Sequence, residues 1–196
     1  AVRAFRGIHD VELPDLLVSE RLPIGTPAVI KNADRELLKG YYDAWYRPDN
    51  MVLVIVGDFD VPLAQKLITD QFGDLSPRAP IPAPPELGAV SHHGLNVFYH
   101  YEPEAGGTKV SIQVTRTHDP LPDSLTQRGW KLIEEIADRI VQNRLDTRLK
   151  APDAPFTTAT VGSGTFLNRI RYSEISAESN AENWQQTLTV LEQVLR

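Results

Sequence analysis

Apolar and polar positions along this chain alternate between a helical and an extended rhythm. From Asp34, Leu37, Leu38, Tyr41, Tyr42 and Trp45 recur every three or four residues, and Asp34 is placed to cap the first turn. Pro48 should end that helix at Tyr46. The run Met51 to Val56 that follows is continuously apolar and rich in β-branched residues, the pattern of a strand buried on both faces. Asp60, Val61 and Pro62 restart a helix with apolar positions Leu63, Ala64, Leu67, Ile68 and Phe72, and Gly73 sits where a left-handed stop is usual.

Five prolines among residues 76–85 predict a stiff extended connector. Beyond it, Leu95, Val97, Tyr99 and Tyr101 alternate with more polar residues, as do Val110, Ile112 and Val114, which is compatible with a hairpin around Gly106 and Gly107. Ser124 to Lys150 reads as one long helix with a buried stripe of Trp130, Ile133, Ile136, Ala137, Ile140, Val141, Leu145 and Leu149. Thr157 to Thr160 and Arg169 to Ala177 read as strands. A final helix, Asn183 to Arg196, places Trp184, Leu188, Leu191 and Leu195 on one face.

This order predicts an α+β fold, with helices packed on one face of a mainly antiparallel or mixed sheet. A length of 196 residues, 41% of them apolar and 23% charged, fits one soluble domain over 1–196. The core is expected around Trp45, Tyr46 and the 51–56 strand. The chain begins without methionine and ends inside a helical pattern, so both termini read as the boundaries of an excised piece.

The formal charge of -6 is dispersed, and the densest basic stretch (Arg139, Arg144, Arg148, Lys150) is interleaved with acids. A nucleic-acid partner is disfavoured, because phosphates require a clustered cationic face. No run approaches the ~20 apolar residues of a membrane span, and there is no signal-peptide pattern. The absence of cysteine excludes disulfides and thiolate chemistry but leaves the compartment open between bacterial periplasm and cytoplasm.

Zinc hydrolysis needs two imidazoles a helical turn apart, a third ligand and a base. Neither H-E-x-x-H nor H-x-x-E-H occurs among His9, His92, His93, His100 and His118. His92 and His93 are adjacent on an extended stretch and point apart; His100 reads as a strand-face residue and His118 as a turn residue. Glu134, Glu135 and Asp138 gather carboxylates on the long helix, but the plainer reading is a solvated face opposite Ile133, Ile136 and Ile140. Gly162-Ser163-Gly164 lacks the rest of a phosphate loop or serine elbow and reads as a turn or bulge between strands. Asp58 and Asp60 are explained by turn and cap duty. No catalytic, cofactor-binding or metal-ligating residue is assigned.

The stretch Arg21-Leu22-Pro23-Ile24-Gly25-Thr26-Pro27, then Ile30-Lys31-Asn32, the helix with Leu38, Tyr41, Tyr42 and Trp45, and Tyr46-Arg47-Pro48-Asp49-Asn50 running on through Gly57-Asp58-Phe59-Asp60 resemble the pitrilysin/insulinase zinc proteases. Asn143-Arg144-Leu145, Asp153-Ala154-Pro155-Phe156 and Gly164-Thr165-Phe166-Leu167 resemble the continuation of the same domain, so the likeness covers nearly the whole chain. The resemblance implies the non-catalytic second domain of one half of such a protease, with residues 1–33 leading in from the preceding zinc domain. It implies zinc in the parent protein but none here, since no position matches the family's ligands. Implied partners are the preceding zinc-binding domain, the second half of the parent and a peptide substrate. The implied role is a wall of the peptide-degrading chamber, or alternatively a domain of an inactive scaffold or partner subunit. A small-ligand binder would need a convergent polar pocket, and the sequence shows none.

Overall fold

Local capping chemistry places the helices of this protein. The computed structural model describes residues 2–21, 23–103 and 106–196, so Leu22 of the Arg21–Pro27 motif lies outside it. In chain order the elements are α1 (Val2–Glu12), α2 (Leu17–Glu20), α3 (Pro27–Asn32), α4 (Arg35–Trp45), α5 (Val61–Phe72), β1 (Thr108–Thr117), α6 (Leu125–Leu149), β2 (Thr158–Phe166), β3 (Ile170–Ser179) and α7 (Trp184–Leu195). Asp34 accepts the Leu37 N–H at 2.8 Å, Asp60 the Leu63 N–H at 2.7 Å and Ser124 the Gln127 N–H at 3.2 Å. Each side chain satisfies a donor that the first turn leaves orphaned. Gly73 differs from expectation: its φ of -63° is right-handed. A Cβ there would lie 2.5 Å from the Thr69 carbonyl oxygen, so close approach rather than handedness selects glycine.

The three strands form an antiparallel sheet in the order β1-β3-β2. With the helices they make the α+β architecture expected from the pattern. β2 and β3 are joined by a tight turn in which Leu167 and Asn168 both take left-handed conformations (φ 51° and 55°) and Arg169 N–H donates to the Phe166 carbonyl at 3.1 Å. Two successive positive φ values match the right-handed twist of the strands they connect. The strands are longer than the sequence suggests. Gly162-Ser163-Gly164 therefore lies inside β2 and not in a turn.

The chain divides into two compact units, 1–21 with 87–196, and 22–86. In the first, Val110 and Ile112 on β1, Ile175 and Ala177 on β3 and Ala159 and Val161 on β2 share one sheet face. That face packs against Leu145, Phe156, Val190 and Leu191. Leu145 and Leu191 are fully enclosed, and so is Thr187, whose hydroxyl donates to the Pro155 carbonyl at 3.2 Å. The buried side of α7 is thus Thr187, Val190 and Leu191, one step round from the expected face, and Trp184 and Leu195 are exposed. A second cluster, Leu13, Leu16 and Ile170 with Phe166 beside them, lies on the other sheet face at the turn end of the hairpin.

In the unit 22–86, Arg47 is buried. It makes two bonds to Asp49, at 2.6 and 2.9 Å, and a third to the Ala79 carbonyl at 2.9 Å, pinning the proline-rich connector to the turn Pro48–Asn50. Arg78 lies 4.4 Å over the Tyr42 ring. The core expected here does not form. The run 51–56 joins no strand, with Val52 89% and Val56 91% exposed; Tyr46 is exposed and Trp45 half-buried. The described residues of this unit contain no strand, so the apolar run has no ladder to enter. Leu95 to Tyr101 is likewise unpaired where a hairpin partner for β1 was expected.

Candidate functional site

The pleat of the sheet gives it two chemically different faces. Side chains alternate across a strand, so the residues between the buried positions point away from α6 and α7. These are Lys109, Ser111 and Gln113 on β1, Thr158 and Thr160 on β2, and Glu174, Ser176 and Glu178 on β3. Thr160 and Ser176 are directly opposite, hydroxyl oxygens 3.2 Å apart, and Lys109 reaches Glu174 at 2.8 Å. Across Gly164 lies the Tyr172 ring: a Cβ on the glycine would be 3.3 Å from the tyrosine hydroxyl. The result is a surface of hydroxyls, amides and a few charges, covered at its turn end by the α1–α2 segment.

On the opposite face, α6 meets the sheet through polar groups for half its length. Glu134 pairs with Arg171 of β3. The Ser163 hydroxyl lies 3.1 Å from an Asp138 oxygen and 3.0 Å from the Ser173 hydroxyl. Gln142 donates to the Ala159 carbonyl and accepts the Val161 N–H, both at 3.1 Å. The solvated-face reading of Glu134 and Asp138 is therefore overturned: both are half-buried against the sheet, while Glu135 faces solvent. Conversely Trp130, Ile133, Ile136 and Ile140 are exposed. The reason is a second period. Glu134, Asp138, Val141, Leu145 and Arg148 also recur every three to four residues, and only packing chooses between the two faces.

The polar cluster is structural in its chemistry. Ser163 has a carboxylate neighbour but no imidazole among its partners, so nothing relays its proton, and Glu134 is committed to Arg171. The histidines are dispersed. His9 sits between Phe5 and Phe166, with ring centroids 3.9 and 5.8 Å away, and its Nδ1 lies 2.9 Å from the Phe5 carbonyl oxygen. His92 meets the Phe98 ring edge at 5.9 Å; the exposed His93 accepts at its carbonyl from Asn96. His100 lies over Gly7, where a Cβ would come within 2.2 Å of the imidazole, and His118 donates its backbone N–H to Arg169. Among the described residues no three histidine, aspartate or glutamate side chains gather to hold a metal ion. Asp58 is exposed and Asp60 is the cap of α5.

A groove on the unit 22–86 is lined by Asp34, Leu38, Lys39, Tyr42, Asp43 and Arg78. Three cations line it, and each has a carboxylate neighbour: Lys39 and Arg78 pair with Asp43 and Arg35 with Glu36. Sequence reasoning missed Gln142, Arg171 and Arg47. A single glutamine or arginine carries no signal of its own in the sequence, because its role depends on the distant backbone or carboxylate it meets. No described helix is long and apolar enough to cross a membrane.

Comparison with known proteins gives a consistent result. The family model described as the peptidase M16 inactive domain matches residues 32–196. A zinc protease PQQL-like protein of Arabidopsis thaliana is 30% identical over 158 residues, covering 78% of this chain and 16% of that protein. The probable zinc protease PqqL of Escherichia coli is 24% identical over 131 residues, covering 65% of this chain and 14% of that one. The chain thus spans about a sixth of the length of these relatives. The crystal structure of the first half of the periplasmic protease PqqL from Escherichia coli superposes with a TM-score of 0.70 at 18% identity, covering 98% of this chain and 40% of that one. A mutant of the ferredoxin protease FusC in complex with Arabidopsis ferredoxin gives 0.73 at 20% identity, covering 95% and 21%. These two likenesses concern the fold.

Proposed function

This chain belongs to the peptidase M16 family, whose inactive domain it matches, and on that premise we propose that it forms a non-catalytic wall of the peptide chamber of a zinc-dependent peptidase. The observation that carries this reading is the two-faced sheet. One face is apolar and packed under α6 and α7; the other presents Ser111, Gln113, Thr158 and Thr160 to solvent. Short hydroxyl and amide side chains can exchange hydrogen bonds with an extended peptide without demanding a sequence, which suits a surface that unfolded chains slide over. Zinc, its ligands and the catalytic base belong in this proposal to the preceding domain of the parent, and no residue here is given a chemical step. The exposed stripe of Trp130, Ile133, Ile136 and Ile140 is the kind of apolar surface that other parts of a longer protein cover, such as that zinc domain or the second half. Part of the same proposal is that residues 1–196 are one domain with 1–33 leading in from the zinc domain; one family model running over 32–196 supports it.

The test uses the whole parent protein with a photo-crosslinking residue at Ser111 or Thr160 and an unstructured peptide. Crosslinks are expected at both positions and should be competed away by unlabelled peptide. Their absence from both, under conditions in which the parent cleaves the peptide, defeats the wall reading. The second reading, a domain of an inactive scaffold or partner subunit, draws on the inactive description of the matching family model. It is separated by the residues before Ala1: an H-x-x-E-H there, with chelator-sensitive cleavage, supports the peptidase, and its loss supports the scaffold.

A further inference from the structure

The two edges of the sheet are finished differently. On β2, Gln142 of α6 closes two outward backbone groups, those of Ala159 and Val161. On β1, the opposite edge, no hydrogen bond from a described residue outside the sheet reaches the backbone; Val90 N–H meets only the Thr117 hydroxyl, at 2.9 Å. On the apolar side of β1, Val110 and Ile112 are packed but Val114 beside them is 65% exposed. An unpaired and partly uncovered edge of this kind is a template for another strand.

The segment 95–101 has the pattern of that strand. Just upstream the chain is anchored, since Leu17 N–H bonds the Leu87 carbonyl at 3.1 Å and Ser91 bonds Asp15. Beyond that, its contacts come from alternate residues: Asn96 donates to the His93 carbonyl at 3.3 Å, Phe98 meets His92, and His100 fills a notch over Gly7 of α1. Leu95, Val97, Tyr99 and Tyr101 take no part in them, and Leu95 is 95% and Val97 88% exposed. Laid antiparallel along β1 with Tyr101 opposite Thr108, the segment would set Leu95, Val97 and Tyr99 opposite Val114, Ile112 and Val110, on the core side of the sheet. Asn96, Phe98 and His100 would then stand opposite Gln113, Ser111 and Lys109 on the polar side. Residues 102–107 make the connection, a usual length between elements, and Gly106 in it already holds a left-handed φ of 71°.

We propose that 95–101 is a switch strand with two seats: latched on α1 by His100 in the Gly7 notch, as seen here, and added to the free edge of β1 as a fourth strand. One backbone cannot occupy both, so the seats are exclusive. In the second seat the exposed apolar row is covered, the outer backbone of β1 is paired, and that edge is closed to any other strand, as Gln142 closes the edge of β2. The tether selects this occupant over a separate peptide or a second copy, because a short connection holds the segment at an effective concentration of about millimolar.

The experiment is amide hydrogen exchange on the full chain, read separately for 95–101, for β1 and for the β2–β3 hairpin. In Gly7→Ala the new Cβ would lie 2.2 Å from the His100 ring and drive it out of the notch. Protection of 95–101 and of β1 should then rise by about three- to tenfold while the hairpin stays level. Adding Val97→Asp should abolish the gain, because that residue is exposed in the first seat but places a carboxylate on the apolar side in the second. Unchanged or lower protection of 95–101 in Gly7→Ala, with the hairpin level, overturns the switch. So does a gain that Val97→Asp leaves intact, or one that grows with chain concentration, which assigns the edge to a second copy. Where Gly7→Ala opens the hairpin itself, Asn96→Cys/Gln113→Cys decides, in a chain that has no cysteine of its own. Mild oxidation should link that pair within one chain faster than it links Asn96→Cys/Thr160→Cys on the far strand, and equal or slower linkage overturns the second seat.

Discussion

The side-chain amide of Gln142 sits against Val161 as a neighbouring strand would, accepting its N–H at 3.1 Å while donating to the Ala159 carbonyl two residues away. A primary amide has the donor and acceptor of a peptide group, so one side chain of α6 closes two outward-pointing backbone groups of the edge strand β2. Gln142→Ala should cost about 1–3 kcal/mol, the penalty for leaving such groups half-buried and unpaired. Urea denaturation measures it, and a loss below about 0.5 kcal/mol would show that water replaces the amide freely.

α6 supplies a sharper comparison. Leu145 is fully enclosed between the sheet and α7, whereas Ile136, from the same helix and the same apparent stripe, is 52% exposed. Leu145→Ala should lose about 2–5 kcal/mol, and Ile136→Ala about 0.5 kcal/mol or less in the isolated chain. Equal losses would mean that the isoleucine side is the packed one.

At the hairpin, Leu167 holds a φ of 51° and is 62% exposed. A left-handed leucine costs roughly 1–2 kcal/mol, and glycine removes that strain while giving back part of the gain through a more flexible unfolded chain. Leu167→Gly should therefore be neutral to stabilising by about 1 kcal/mol in thermal unfolding. A clear destabilisation would reveal a contact that the side chain makes in solution.

Two exposed aspartates give the protein stability that acid removes. Bidentate hydrogen bonds from Arg47 to Asp49 and from Arg148 to Asp153 hold both carboxyls below the ordinary aspartate range. A depressed carboxyl binds fewer protons folded than unfolded. Its contribution is complete above the ordinary value and disappears as pH falls through the depressed one. Denaturation midpoints should fall in acid, and Asp153→Asn should remove part of that fall without altering the slope near neutrality. An unchanged acid limb in Asp153→Asn would assign the effect elsewhere.

What the sequence determined on its own is what depends on neighbours a few residues apart. Asp34, Asp60 and Ser124 cap the helices expected of them, Pro48 stops α4 where its missing N–H requires, and the α+β order and family motifs are written in the chain. What only the tertiary structure decided is which of two equally periodic faces is covered. α6 carries residues at three- to four-residue spacing on both its isoleucine side and its Asp138–Leu145 side, and α7 likewise, so periodicity admits either. The choice follows from register: Ile175 and Ala177 line up with Val161 and Ala159, and that patch accepts Leu145 and Leu191. The same dependence explains the Met51–Val56 run. A strand is a pairing and not a property of six residues, and within 22–86 the described chain offers no partner backbone to complete it.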